Sequence, residues 1–170
     1  MATNIKASVR YGTHLPCLIK AMEKTNGDVL ELGMGVFSTP YLHYKCILDK
    51  RHLVSYENCE PWLNFFNQKY GYQDEYHKMI YVEDYADADI EKPWDVVLVD
   101  QTPDISRGET IWRIANSAKY IIIHDSGRRY EKQYGYDKIY DIFKYRSNWT
   151  KDTNNATILS NFIDLKDFWL

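Results

Sequence analysis

Gly27-Asp28-Val29-Leu30-Glu31-Leu32-Gly33-Met34-Gly35-Val36-Phe37-Ser38-Thr39-Pro40 is the stretch that decides how this chain is read. Val29, Leu30 and Leu32 supply an apolar strand, and Glu31 is an acid near its end. Gly33 and Gly35 let the backbone turn tightly and approach a ligand closely. Thr39 followed by Pro40 predicts a helix start, with threonine as N-cap and proline at the first helical position. Strand, acid, glycine turn and helix together read as a nucleotide-type cofactor site.

A dinucleotide site calls for G-x-G-x-x-G, with the pyrophosphate at the helix N-terminus. Ser38 stands where the third glycine belongs. Glu31 is also poorly suited to a neighbouring pyrophosphate, because like charges repel. A cofactor with an adenosine end, a sulfonium and an amino-acid end fits better. The E-x-G-x-G form resembles the first motif of class I S-adenosylmethionine-dependent methyltransferases. The alternative is an ordinary structural turn in an α/β protein.

A second strand, His52 to Tyr56, ends at Glu57, and a helix over Tyr41 to Asp49 makes the right-handed crossover between the two. Glu57 then lands at the carboxyl edge of the neighbouring parallel strand, where a carboxylate can accept both ribose hydroxyls. The bland alternative is a solvated acid at a strand end.

The same rhythm continues. Strands are predicted over Tyr76 to Val82, closed by Glu83-Asp84-Tyr85, over Trp94 to Val99, ended by Asp100, and over Tyr120 to Ile123, ended by His124-Asp125-Ser126. Helices are predicted over Pro61 to Tyr70, Ser106 to Ala118 and Tyr136 to Lys144. Alternation of this kind predicts an α/β, Rossmann-like, doubly wound parallel sheet, with ligands beyond the carboxyl ends of the strands. Every acid singled out falls on that edge.

Tyr145 to Thr150 and Ala156 to Phe162 flank the polar turn 151–155 and predict a C-terminal antiparallel hairpin. With that ending, the resemblance to the class I methyltransferase fold covers nearly the whole chain. It is closest to a small group carrying Gly12-Thr13-His14-Leu15-Pro16, Glu31-Leu32-Gly33, Ser38-Thr39-Pro40, Ser55-Tyr56-Glu57, Val99-Asp100, Arg107, His124-Asp125 and Leu159-Ser160-Asn161. The resemblance implies S-adenosylmethionine as cofactor and no particular acceptor. It implies cofactor contacts from Glu31, Gly33, Gly35, Ser38, Thr39, Glu57, Asn58, Asp84 and Tyr85. His14 joins them because the segment before the first strand covers the methionine end in related folds. A packing or capping role is the alternative for His14, and His77 reads as structural.

At 170 residues, 45% of them hydrophobic, the chain can bury one substantial core. A single domain is expected over 1–170, with 1–26 as a segment and helix covering the cofactor edge. Fifteen tyrosines against six phenylalanines are unusual, and they suit pocket walls or amphipathic surfaces. Residues 1–10 lack an apolar leader, and no run is long enough to span a bilayer. Cys17, Cys46 and Cys59 lack metal-ligand spacing, which fits a reduced, cytoplasmic setting. The net charge of -3 lacks the basic stripe of a nucleic-acid enzyme. The only basic clustering is Arg128-Arg129 with Lys132, read as a solvated loop or a substrate mouth. Asp100-Gln101-Thr102-Pro103 does not match the asparagine-proline-proline-aromatic motif of base amino-group methylation.

Methyl transfer needs alignment and, for a hydroxyl acceptor, a base or a metal. Asp100, His124 and Asp125 are the candidates at the correct edge. Catechol-type O-methyltransferases are similar in placing magnesium on an acid after the fourth strand and an Asp-Asn pair after the fifth. Asp100 and Asp125 match the acids, but Ser126 replaces the asparagine and would be a weak ligand, so no metal ligands are assigned. The expected reaction is O-methylation of a small molecule or a polar biopolymer end. A non-catalytic adenosylmethionine or nucleoside binder and an aminopropyl transferase are the alternatives. For the latter, an acidic groove would come from Asp84, Asp87, Asp89, Asp100 and Asp104. With loops this short, Met1 to Pro16, 101–108 and 126–135 must meet the substrate, or a second subunit must help in a homo-oligomer.

Overall fold

The computed structural model describes residues 8–71, 75–151 and 154–170. Among them, seven strands form one sheet: β1 (Val29–Leu32), β2 (Leu53–Glu57), β3 (His77–Tyr81), β4 (Trp94–Val99), β5 (Ala118–His124), β6 (Tyr145–Trp149) and β7 (Ala156–Ser160). Their order is β3-β2-β1-β4-β5-β7-β6. The first five run parallel, β7 is antiparallel to β5, and β6 is antiparallel to β7. The order reverses between β1 and β4, and that switch point opens a crevice at the carboxyl edge. The expected doubly wound sheet and its antiparallel ending are both present.

Strand alternation sorts side chains between two faces. Val29, Leu53, Val96, Leu98, Tyr120 and Ile122 pack with α1 (Leu15–Glu23) and α2 (Ser38–Asp49). Leu30, Leu32, Val97, Val99, Ile121 and Ile123 pack on the other face with α4 (Arg107–Ile114). Helix α3 (Glu60–Tyr70) covers β3 through Leu63 and Phe66. Each buried isoleucine of β5 contributes roughly 1.5–3 kcal/mol of transfer free energy, and all three are fully enclosed.

Several boundaries differ from expectation, each for a local reason. Helix α2 starts at Ser38, so Thr39 is not its N-cap; its hydroxyl is drawn instead to Glu31. The segment expected as a helix over 106–118 begins with a 3₁₀ turn at Asp104–Ser106 and ends at Ile114, because β5 already starts at Ala118. The helix expected over 136–144 is two 3₁₀ turns, Tyr136–Lys138 and Tyr140–Ile142, after the short α5 (Arg128–Glu131). Tyr136 and Ile139 are both drawn into the core there. Strand β7 stops at Ser160, whose hydroxyl accepts from the N–H groups of Phe162 and Ile163 at 3.1 and 3.0 Å. Of the polar turn 151–155, residues 152 and 153 lie outside the described residues, as do 1–7. No helix of the described residues is long and apolar enough to cross a membrane.

Candidate functional site

The carboxyl ends of β1, β2 and β4 are locked in step. Gly33 N–H donates to Tyr56 O at 3.0 Å, and Asp100 N–H donates to Leu32 O at 2.8 Å. Gly33 has φ +88°, and a β-carbon there would lie 2.6 Å from Asp100 O. The first glycine is therefore required by the backbone of the β4 end, before any ligand is considered.

Glu31 alternates with Val29 and faces α2. It is fully buried, accepts from Ser55 Oγ at 2.6 Å, and accepts from Thr39 Oγ1 at 3.0 Å. Thr39 Oγ1 in turn accepts from Gly35 N–H at 2.9 Å. Burial pushes the Glu31 carboxyl up to about 7, against the pull of the Ser38, Ser55 and Thr39 hydroxyls. Ser55 continues to His77 Nε2 at 2.9 Å, and His77 Nδ1 lies 3.0 Å from His43 Nδ1. This buried chain fixes the glycine turn from behind, and His77 is a structural member of it.

Glu57 ends β2. Its Oε2 accepts from Met34 N–H and its Oε1 from Cys59 N–H, both at 2.8 Å. Burial raises its pKa while these N–H groups oppose the shift. Asn58 Nδ2 donates to Thr102 O at 2.6 Å and ties β2 to the loop after β4. Asp84 accepts from Ala86 N–H at 2.9 Å and caps the 3₁₀ turn at Tyr85–Asp87. The Tyr85 ring is enclosed in the core, its hydroxyl 3.4 Å from Tyr56 O.

The second half of the site is ionic. Asp100 follows Leu98 in the β4 alternation, and His124 follows Ile122 in β5, so both face the start of α1. His124 Nδ1 lies 3.0 Å from Asp100 Oδ1, and its Nε2 lies 2.9 Å from Thr13 Oγ1. Arg107, at the start of α4, reaches over the strand ends. Its Nη2 lies 2.9 Å from Asp100 Oδ1, and its Nε donates to Gln101 O at 2.8 Å. Tyr136 OH donates to His124 O at 3.0 Å, and Tyr134 lies under the guanidinium at 5.0 Å.

Burial alone would raise Asp100, but His124 and Arg107 hold it at about 2. Burial works against the His124 proton, and the Asp100 and Asp125 charges outweigh it, so the His124 pKa is raised. Asp125 Oδ1 lies 3.5 Å from His124 Nε2, and burial raises its carboxyl. The ring of His14 meets that of His124 edge-on at 4.8 Å. Burial, then His124, lowers the His14 pKa to about 3. The Ser126 hydroxyl is engaged with Thr157 at 2.8 Å.

The edge thus gathers Gly33, Glu57, Asn58, Asp100, His124, Asp125 and His14. Glu31 and Thr39 lie behind the turn, and Tyr85 lies below it in the core. Arg107 and Thr13 belong to the site although neither carries a role in the sequence reading. Strand alternation was the available signal for Thr13, since it sends Asp100 and His124 toward α1. Of the acids considered for a polyamine groove, Asp84 is engaged with Ala86 N–H, Asp89 with Lys92, Asp104 with Gln133, and Asp100 with Arg107.

No protein-family model matches the sequence, and no curated protein matches it. Solved structures do. The human methyltransferase 10 domain containing protein superposes with a TM-score of 0.63 at 10% identity, covering 94% of this chain and 85% of that one. Human methyltransferase-like protein 13 in complex with SAH gives 0.63 at 14%, covering 91% and 84%. The O-methyltransferase from Bacillus cereus in complex with SAH gives 0.61 at 14%, covering 94% and 83%. Strand order, the glycine turn at the switch point and these likenesses agree: the chain has the class I methyltransferase fold.

Proposed function

We propose that the protein is an S-adenosylmethionine-dependent methyltransferase acting on a hydroxyl of a small molecule or a polar biopolymer end. One observation carries this reading: the strand ends bring Glu57, held by main-chain N–H groups, onto the same edge as a charged set at Asp100, His124 and Asp125. The residues present fit the cofactor. Glu57 keeps lone pairs beyond its main-chain contacts, which could accept from ribose hydroxyls. Gly33 and Gly35 keep the turn tight against the β4 end and Ser38. His14 brings two buried ring nitrogens without a partner among the described residues.

Bound S-adenosylmethionine supplies a methyl group made electrophilic by its sulfonium. Asp100, fixed by Arg107, orients His124. Asp125 is the carboxylate of the set that Arg107 does not bond, and its side chain keeps 18% exposure. In this reading Asp125 would accept the proton of the acceptor hydroxyl as the oxygen takes the methyl group, the methyl–sulfur bond breaks and the thioether leaves. The neighbours solved with SAH support the cofactor, and the Bacillus cereus O-methyltransferase supports oxygen as the acceptor atom.

Calorimetry with SAH tests the first step, with 1:1 binding at micromolar to submillimolar Kd expected. Absence of binding at millimolar SAH removes the reading. Binding without turnover across hydroxylated acceptors leaves a cofactor-binding protein instead.

A further inference from the structure

The Thr13–His14 corner meets Asp100 and His124 in a cluster that methyl transfer uses only in part. Ligand atoms of His14, Asp100 and His124 lie within 4.8 Å of one another. His14 is 1% exposed, and neither of its ring nitrogens has a hydrogen-bond partner among the described residues. A buried polar atom without a partner is costly, so such a ring calls for a ligand. A neutral imidazole offers one nitrogen lone pair to such a ligand.

The other two members are held as metal ligands usually are. His124 Nε2 is placed to donate to Thr13 Oγ1 at 2.9 Å, since the Thr13 hydroxyl itself donates to Arg10 O at 3.4 Å. That leaves His124 Nδ1 facing Asp100 Oδ1 at 3.0 Å. Two atoms bonded to one cation at about 2.1 Å sit about 3.0–3.4 Å apart at right-angled or tetrahedral geometry. The gap therefore takes either a proton or a metal. Arg107 Nη2, 2.9 Å from Asp100 Oδ1, steadies the carboxylate, and Thr13 steadies the imidazole.

We propose that His14, His124 and Asp100 bind one divalent cation of the first transition row, such as Zn²⁺ or Co²⁺. Two imidazoles and one carboxylate suit these ions, whereas Mg²⁺ favours oxygen ligands and retains water. The cation takes the place of the proton between His124 and Asp100 and leaves the bonds to Thr13 and Arg107 intact. Three protein ligands leave a coordination position for an acceptor oxygen. Neither the cofactor nor an acceptor is needed for this binding, so it stands or falls apart from methyl transfer.

The test uses the full chain, stripped with EDTA and titrated with Co²⁺ by visible absorption and calorimetry. The expected result is one Co²⁺ per chain at micromolar Kd or tighter, not displaced by millimolar Mg²⁺. Thr13→Ala weakens it by about tenfold, the usual effect of losing an outer partner, and His14→Ala by about a hundredfold or more. Because His14 is buried, nitrogen-detected NMR of the unaltered protein with Zn²⁺ gives a second readout. The ring signals of His14 and His124 shift, and those of His43, His52 and His77 stay. Absence of 1:1 binding, full binding by a folded His14→Ala variant, ready displacement by Mg²⁺, or shifts confined to His43 and His77 would each overturn the proposal.

Discussion

Glu57, at the end of β2, is satisfied by main-chain N–H groups, whereas Asp100, at the end of β4, is satisfied by a guanidinium and an imidazole. Both are carboxylates on the same edge of the same sheet. Their affinities for a proton move in opposite directions, Glu57 up and Asp100 down to about 2. The neutral dipoles around Glu57 and Glu31 only partly offset desolvation, while full charges around Asp100 exceed it. One half of the edge is thus balanced by neutral dipoles. The other stores separated charge, which suits a reaction that moves a proton or holds a cation.

The largest expected effect breaks the ionic half. Arg107→Ala leaves Asp100 without its guanidinium, and removing one member of a buried pair costs about 3–5 kcal/mol. Urea denaturation measures it, and Arg107→Met combined with Asp100→Asn should recover most of the loss. Full stability in Arg107→Ala would show that His124 alone suffices to hold Asp100.

Gly33→Ala comes next, because its β-carbon meets the backbone of Asp100 and sits at positive φ. A loss of about 2 kcal/mol or more is expected from the same denaturation curve. A neutral result would uncouple the glycine turn from the β4 end.

Glu57→Ala should lower SAH affinity about tenfold to a hundredfold, or about 1.4–2.8 kcal/mol. The Met34 and Cys59 N–H groups lose their acceptor, so about 1–2 kcal/mol of stability goes with it. Unchanged calorimetric affinity in a folded variant would make Glu57 a purely structural acid.

The last effect is a slope with pH. The Glu31 carboxyl binds its proton more tightly folded, at about 7, than its ordinary value of 4.5. The folded state then holds the extra proton between those values, and stability falls as pH rises from 4.5 to 7. Denaturation midpoints across that window should show the decline, and Glu31→Gln should flatten it. An unchanged slope in Glu31→Gln would assign the decline to other groups.

The strands were legible because both-face burial writes near-continuous apolar runs ending in acids, as at Val96 to Asp100 and Ile121 to Asp125. The segment 136–144 was not. Tyr136, Ile139, Tyr140 and Phe143 follow helical spacing, yet the chain turns tightly after Gly135, which sits in the left-handed region. Thr39 was misread because its capping signature is local, while the buried carboxylate that captures it lies eight residues earlier. Asp100 and His124 announced themselves as strand-end residues. Arg107 did not, because its partners Asp100, Gln101 and His124 converge on it only when α4 folds back over the β4 and β5 ends.

Gly12 lies against the glycine turn from the opposite side, where a β-carbon would come 3.1 Å from the Phe37 ring. Thr13 and His14 follow directly, and Phe37 immediately precedes α2. The aromatic contact therefore ties the segment that carries His14 to the start of α2. A side chain at position 12 would have to displace that ring, so a single substitution there would disturb the glycine turn and the Thr13–His14 corner together.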